Sequence, residues 1–222
     1  MLTTAKQLLF SGQPSVREIK AGILRGIRMH VALSREMQIW LGLRERELHP
    51  WFRRLSRGIE AAVDIGASKG EYTLYFLART EAKRILAFEP DEACRLNLYA
   101  NLDVNGLTDD PRLLIVPQQL GSPDFDETPL DSFLPVLPDP CLIKIDAEGW
   151  EERILMGAPR LLNRLGVRFI IETHHKGLEE RCEAVLKKKN FRTEIVHAAW
   201  WRRILPERRT EPHNRWLIAW RD

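Results

Sequence analysis

Four short segments of this 222-residue chain place carboxylates, glycines or histidines where a ligand could be held or a proton moved. The first is Asp64, Gly66, Ala67, Ser68, Lys69 and Gly70. An apolar run ends in Asp64, two glycines bracket a tight loop, and the helix-like segment Glu71 to Arg79 follows at once. Strand, glycine loop and helix in that order form the first half of a nucleotide-binding α/β unit. Glycine lets the backbone approach a ligand closely, and Asp64 can accept hydrogen bonds from an ammonium group or orient the loop. The loop is neither G-x-G-x-x-G nor a P-loop. The wide glycine spacing behind an aspartate points to S-adenosylmethionine more than to a dinucleotide. Taken alone, the loop also reads as a plain strand-to-helix turn.

The second segment is Phe88-Glu-Pro-Asp91, about 20 residues further on. An acid at that place can accept both ribose hydroxyls of a bound nucleoside, or it can simply cap the next helix; Pro90 stops the strand and Asp91 is a helix cap. The third is Leu142 to Trp150, in which a buried strand ends in Asp146 and a turn carries Glu148 and Gly149. These carboxylates can orient a substrate, act as a general base or bind the cofactor amine; Glu148 and Glu151 fit equally well as helix caps. Asp146 with Glu148 offers two carboxylates and no third ligand in view, so no metal is assigned. The fourth is Ile171-Glu-Thr-His-His175. In an extended chain Glu172 and His174 share one side and His175 takes the other. His174 can then take a proton from a hydroxyl. His30, His49, His197 and His213 are scattered and receive no role.

All four segments need one edge to converge on. From Ala61 onward, short β-branched runs alternate with amphipathic stretches. Strands are expected over Ala61–Ile65, Arg84–Phe88, Leu113–Val116, Cys141–Ile145, Arg168–Glu172, Phe191–His197 and Trp216–Trp220. Helices are expected over Tyr72–Arg79, Glu92–Val104, Trp150–Met156, Pro159–Leu165 and Leu178–Lys189. This alternation predicts an α/β fold with a largely parallel sheet covered on both faces and closed by an antiparallel pair. Gly121 to Pro140 reads as a loop interrupted by Leu130–Leu134. Residues 1–58 form an N-terminal extension: a loose start, a hairpin over Arg17–Val31 and a helix over Leu43–Leu55. Residues 59–222 form the main domain.

The bulk properties narrow the function classes. A hydrophobic fraction of 44% and a charged fraction of 29% are those of a globular protein. No apolar run approaches a membrane span, and the first ten residues lack a secretory pattern. Three distant cysteines form neither a disulfide framework nor a metal pattern, which suits a reducing cytoplasm. A net charge of +3 does not by itself argue for nucleic acid. Trp200, Trp201, Trp216 and Trp220 read as core or interface residues, and one shared patch of them would mark a partner or homodimer surface.

With the four segments in order, the chain resembles the FkbM family of S-adenosylmethionine-dependent methyltransferases. The resemblance lies in Val63-Asp-Ile-Gly-Ala-Ser-Lys-Gly70, Ala87-Phe-Glu-Pro90, Asn101-Leu-Asp-Val-Asn-Gly-Leu107, Leu130-Asp-Ser-Phe-Leu134, Leu142-Ile-Lys-Ile-Asp-Ala-Glu-Gly149, Met156-Gly-Ala158 and Ile171-Glu-Thr-His174. It spans about residues 59 to 195, and Gly42 to Leu48 resembles the helix that precedes the first strand in this family. It implies a Rossmann-like class I methyltransferase with a seven-stranded, mostly parallel sheet. The cofactor would be S-adenosylmethionine and the reaction O-methylation of a sugar or small natural product. By the same resemblance Asp64, Gly66 and Gly70 line the methionine end and Glu89 the ribose. Ala67, Ser68, Tyr72, Pro90 and Asp146 complete the cofactor set. Asp146, Glu148 and His174 face methyl transfer. Ser68 stands where the family commonly has Asn. The alternatives are an RNA or protein methyltransferase and a non-catalytic cofactor-binding scaffold; the absence of Asn/Asp-Pro-Pro-Tyr/Phe after Ile145 weighs against methylation of base amino groups.

Overall fold

A strand buried on both faces reads as a near-continuous apolar run, and three of the expected strands have this character apart from Asp64, Arg84 and Lys144. In the computed structural model, which describes residues 12–206, 213 and 215–221, every residue of β3 (Ala61–Ile65) and of β6 (Cys141–Ile145) is buried, and so are four of the five in β4 (Arg84–Phe88). These strands are parallel, with Val63 level with both Leu86 and Ile143. In chain order the elements are β1 (Ser15–Glu18), β2 (Arg28–Val31), α1 (Leu33–Trp40), α2 (His49–Leu55), β3, α3 (Glu71–Arg79), β4, α4 (Glu92–Asp103), β5 (Leu113–Val116), β6, α5 (Glu151–Met156), β7 (Val167–Thr173), α6 (Lys176–Lys188), β8 (Arg192–His197) and β9 (Arg215–Trp220).

Seven strands form one sheet in the order β5-β4-β3-β6-β7-β9-β8, with β9 antiparallel to both neighbours. This is the seven-stranded, mostly parallel sheet that the resemblance implies. The chain runs outward from β3 to β4 and β5, then returns to β6 on the other side of β3. The carboxyl ends of β3 and β6 therefore flank a topological switch point, where open α/β sheets hold their ligands.

The sheet separates two apolar layers. One gathers Val63, Ile143, Ile145, Phe169 and Ile171 with Ile154, Leu178, Leu186 and Phe191, on the face of α5 and α6. The other gathers Ala62, Leu142, Leu74, Phe76, Leu98 and Ile218, and it includes Ile19, Met29, Val31, Ile39, Leu48, Phe52 and Leu55 from the first 58 residues. The extension thus shares a core with the sheet. Its hairpin pairs Ser15 with Val31 and Glu18 with Arg28. One side chain of α4 and one just beyond its end hold it down. Asn101 accepts from the His30 amide at 2.7 Å and donates to the Lys69 carbonyl at 2.8 Å, while Asn105 exchanges hydrogen bonds with the Arg28 backbone.

Two local expectations need correction. The helix expected over Leu43–Leu55 begins only at His49, after a single 3-10 turn over Arg46–Leu48. Pro50 lacks an N–H and is tolerated only in the first turn. Glu45 adopts φ 44°, the left-handed region, and a helix cannot run through it. Pro159–Leu165 yields only the 3-10 turn Leu161–Asn163, whereas the interruption expected at Leu130–Leu134 is present as a 3-10 stretch, Leu130–Val136. Between the hairpin and Leu43, where no element is assigned from the sequence, lies α1, whose Glu36 carboxylate accepts the Ala32 amide at 2.9 Å. Residues 1–11, the greater part of the expected loose start, lie outside the described residues.

Candidate functional site

The residues picked out in the sequence occupy the carboxyl ends of β3, β4, β6 and β7. The glycine loop is fixed by close packing. Gly66 has φ 74°, and a Cβ there would overlap the Asp146 carbonyl oxygen; Gly70 has φ 88°, and its Cβ would overlap Leu98 Cδ1. The Gly66 and Ala67 amides both donate to the Phe88 carbonyl at 3.0 Å. The Ala67 side chain is buried in the core, Ser68 is exposed at the loop tip with φ 49°, and Pro90 is exposed.

Glu89 is buried beside the loop. One carboxylate oxygen accepts the Ser68 amide at 2.7 Å and the other the Asp91 amide at 3.0 Å. A carboxylate oxygen carries two lone pairs, so each retains one acceptor position toward a diol. Asp91 caps α4 through the Cys94 amide at 2.7 Å. Glu89 thus orders the loop with half of its acceptor capacity.

Asp64 sits deeper than its position in the sequence suggests. It is fully buried, accepts from Thr73 Oγ1 at 2.7 Å and lies 3.5 Å from Lys144 Nζ. Lys144 Nζ also donates to the Gly66 carbonyl at 3.2 Å and to Asp146 Oδ2 at 3.4 Å, beneath the ring of Tyr72 at 5.1 Å. Burial works against the ammonium charge, but Asp146 and Asp64 outweigh it and raise its pKa. Asp64 reaches the loop through this lysine and Thr73. Tyr72 stacks on Phe52, with centroids 4.4 Å apart, and donates its hydroxyl to Glu45 of the extension. Burial, joined by Glu45, drives the phenol pKa well up.

On the other side of Asp146 stands His174. Its Nε2 lies 3.5 Å from Asp146 Oδ1 and its Nδ1 3.0 Å from Glu151 Oε1. Glu151 is fully buried and also accepts the Ala147 and Gly149 amides, so it shapes the turn after β6 and aims the imidazole. Burial opposes a charged imidazole, but the hydrogen bond to Glu151 and the nearby carboxylates prevail and raise the His174 pKa above 6.5. Glu148 is exposed at the tip of the turn, with φ 46°. His175 points the other way and caps α6, its Nδ1 accepting the Leu178 amide at 3.1 Å. The strand alternation expected at Glu172–His175 is what the structure contains.

A clamp on the same side of the sheet had no counterpart in the sequence reading. Arg202, buried in the β8–β9 connection, grips Glu47 with two hydrogen bonds of 2.7 and 2.8 Å and also reaches Gln38 and the Leu43 carbonyl. Lys69 Nζ pairs with Glu36 at 2.7 Å, and Arg44 lies 3.1 Å from Glu71. Lys144 was legible in principle: a lysine between Ile143 and Ile145 in a fully buried strand requires a carboxylate on each open side. The four tryptophans do not form one patch. Trp216 is fully buried, Trp220 packs against Trp51 at 5.5 Å, and Trp200 is exposed.

The FkbM methyltransferase domain matches residues 118–208, in agreement with the resemblance read from the motifs. An FkbM methyltransferase from Methylobacillus flagellatus KT superposes with a TM-score of 0.56 at 22% identity, over 73% of this chain and 44% of that one. The chain thus spans less than half the length of that protein. A precorrin-6y C5,15-methyltransferase from Geobacter metallireducens GS-15 gives 0.53 at 17% identity, over 80% of this chain and 87% of that one. A Streptococcus mutans protein described as a methyltransferase, in complex with SAH, gives 0.50 at 14% identity, over 79% of this chain and 98% of that one. These likenesses establish the methyltransferase fold. No curated protein matches the chain in sequence.

Proposed function

We propose that this chain, with an FkbM methyltransferase domain match over residues 118–208, transfers a methyl group from S-adenosylmethionine to a hydroxyl of a sugar or small natural product. The observation that carries the reading is the meeting, at the β3/β6 switch point, of a glycine loop, a nucleoside-competent carboxylate and a carboxylate–imidazole pair. Glu89 keeps acceptor positions for a ribose diol. Gly66 and Gly70 keep the loop backbone open to the methionine moiety, beside Asp146 and above the Asp64–Lys144 pair. Tyr72 forms a wall, and Ala67, Ser68 and Pro90 set the course of the chain around it.

When bound, the cofactor supplies an electrophilic methyl group. The protein's part is to align the acceptor oxygen with it, since orientation alone provides several kcal/mol of the barrier. The acceptor proton leaves toward the group formed by Asp146, Glu148 and His174, which lines the side of the switch point away from Glu89. The same reading expects a hydroxylated small-molecule or glycan acceptor and a place in the cytoplasm. Among the described residues no helix is long and apolar enough to cross a membrane.

Calorimetric titration tests the reading. Wild-type protein should bind S-adenosylmethionine and S-adenosylhomocysteine in the micromolar range, and Glu89→Ala should lose at least about tenfold while its melting temperature still reports a folded chain. Absence of binding of either ligand to the wild type would remove the reading.

A further inference from the structure

We infer that Asp146, Glu172 and His174 form a divalent metal-ion site on the acceptor side of the switch point. The carboxylate oxygens of Asp146 and Glu172 and a ring nitrogen of His174 all lie within 4.8 Å of one another. Ligand atoms held at about 2.1 Å from one ion stand roughly 3 to 4 Å apart, so small side-chain rotations close the site. The three residues come from the ends of adjacent strands whose register is fixed: Ile145 pairs with Ile171, and Asp146 and Glu172 are the next residues of each. His174 follows two positions later on the same side of the chain. Ligands mounted on a rigid sheet edge are pre-aimed.

A second observation lies outside the three residues. Metal-binding histidines usually hand their other nitrogen to a carboxylate, which fixes tautomer and ring orientation. Glu151 is placed to take that relation to His174, a turn of the ring being enough to align the buried Nδ1 with it. It is fully buried, pinned by two backbone amides, and 3.0 Å from Nδ1. That leaves Nε2, the nitrogen facing Asp146, as the ligand atom. Two carboxylate oxygens and one imidazole, with no thiolate, suit Mn²⁺, Co²⁺ or Zn²⁺ and leave coordination positions open for solvent or substrate. Its part in methyl transfer rests on the function proposed above. A hydroxyl coordinated there would lose its proton more readily, the O–H bond breaking as the O–CH₃ bond forms and the S–CH₃ bond of S-adenosylmethionine breaks to leave S-adenosylhomocysteine. With Nε2 held by the ion, exposed Glu148 is the group left to pass that proton to solvent.

The test uses the full-length protein, stripped with a chelator and titrated with MnCl₂ while free Mn²⁺ is followed by electron paramagnetic resonance, with ZnCl₂ as competitor. One saturable site per chain is expected, displaced by Zn²⁺ and weakened at least tenfold in Glu172→Gln and in His174→Asn. Glu172→Gln keeps the shape of the side chain and should still bind S-adenosylhomocysteine. Saturable Mn²⁺ with no cofactor binding in the wild type would uphold the site and sink the methyltransferase reading. Cofactor binding with no saturable Mn²⁺ or Zn²⁺, or metal binding unchanged in both variants, would overturn the site.

Discussion

At the scale of single residues, the site is held by groups with two duties each. Asp146 meets Lys144 on one side and His174 on the other, 3.4 and 3.5 Å away. Asp146→Ala and His174→Ala should each lower turnover by about 10²- to 10⁴-fold on the true acceptor, the range for a lost proton-transfer group. Steady-state kinetics checks this, and full turnover in both variants would refute the assignment. Gly66 is constrained by space as well as by its φ of 74°. Gly66→Ala should destabilise the fold by about 3 kcal/mol, read by urea denaturation, because a Cβ must displace the Asp146 backbone and adopt a left-handed conformation. A weaker effect on stability than on cofactor affinity would show that the loop yields more easily than the strand end it touches.

At the scale of elements, the sheet was readable because parallel strands covered on both faces must be continuous apolar runs. Ala61–Ile65, Arg84–Phe88, Leu113–Val116 and Cys141–Ile145 are strands with the expected bounds. The positions of Asp64, Glu89, Asp146 and His174 at one edge followed from that alternation. What the sequence concealed were partners brought together from distant parts of the chain. Nothing local marks Glu151 as the support of His174, or links Glu47 to Arg202 across 155 positions. Short 3-10 turns also escaped, because a single turn carries too few residues for a period to show. The Arg202–Glu47 clamp gives a prediction of its own. The carboxylate and guanidinium are nearly buried, and the two hydrogen bonds to Arg202 overcome burial and lower the Glu47 pKa. Arg202→Ala leaves a buried carboxylate behind and should cost about 3–5 kcal/mol. The double variant with Glu47→Gln should recover part of that loss in a denaturation cycle.

At the scale of the whole molecule, stability should carry a pH signature from His49. This residue opens α2 in the layer between extension and sheet, and burial, with help from Arg53 and Arg46, pushes its pKa down to about 4 from 6.5. The unfolded chain therefore binds the extra proton at higher pH than the folded one. His49 destabilises nothing above pH 6.5, and stability falls as the pH drops from about 6.5 to about 4, by up to roughly 3 kcal/mol. Denaturant midpoints of wild type and His49→Gln, measured across that window, should converge at low pH, with the variant the flatter of the two.

The extension also binds the rest of the molecule into a thermodynamic cycle. Glu36, Arg44 and Glu45 hold Lys69, Glu71 and Tyr72, three residues within or just beyond the glycine loop. Any event that shifts those side chains also shifts the free energy of occupying the loop, and linkage makes the effect reciprocal. A molecule that docks on residues 36–45 and moves those side chains would therefore change the affinity of the loop for its ligand, and that ligand would change the docking by the same factor.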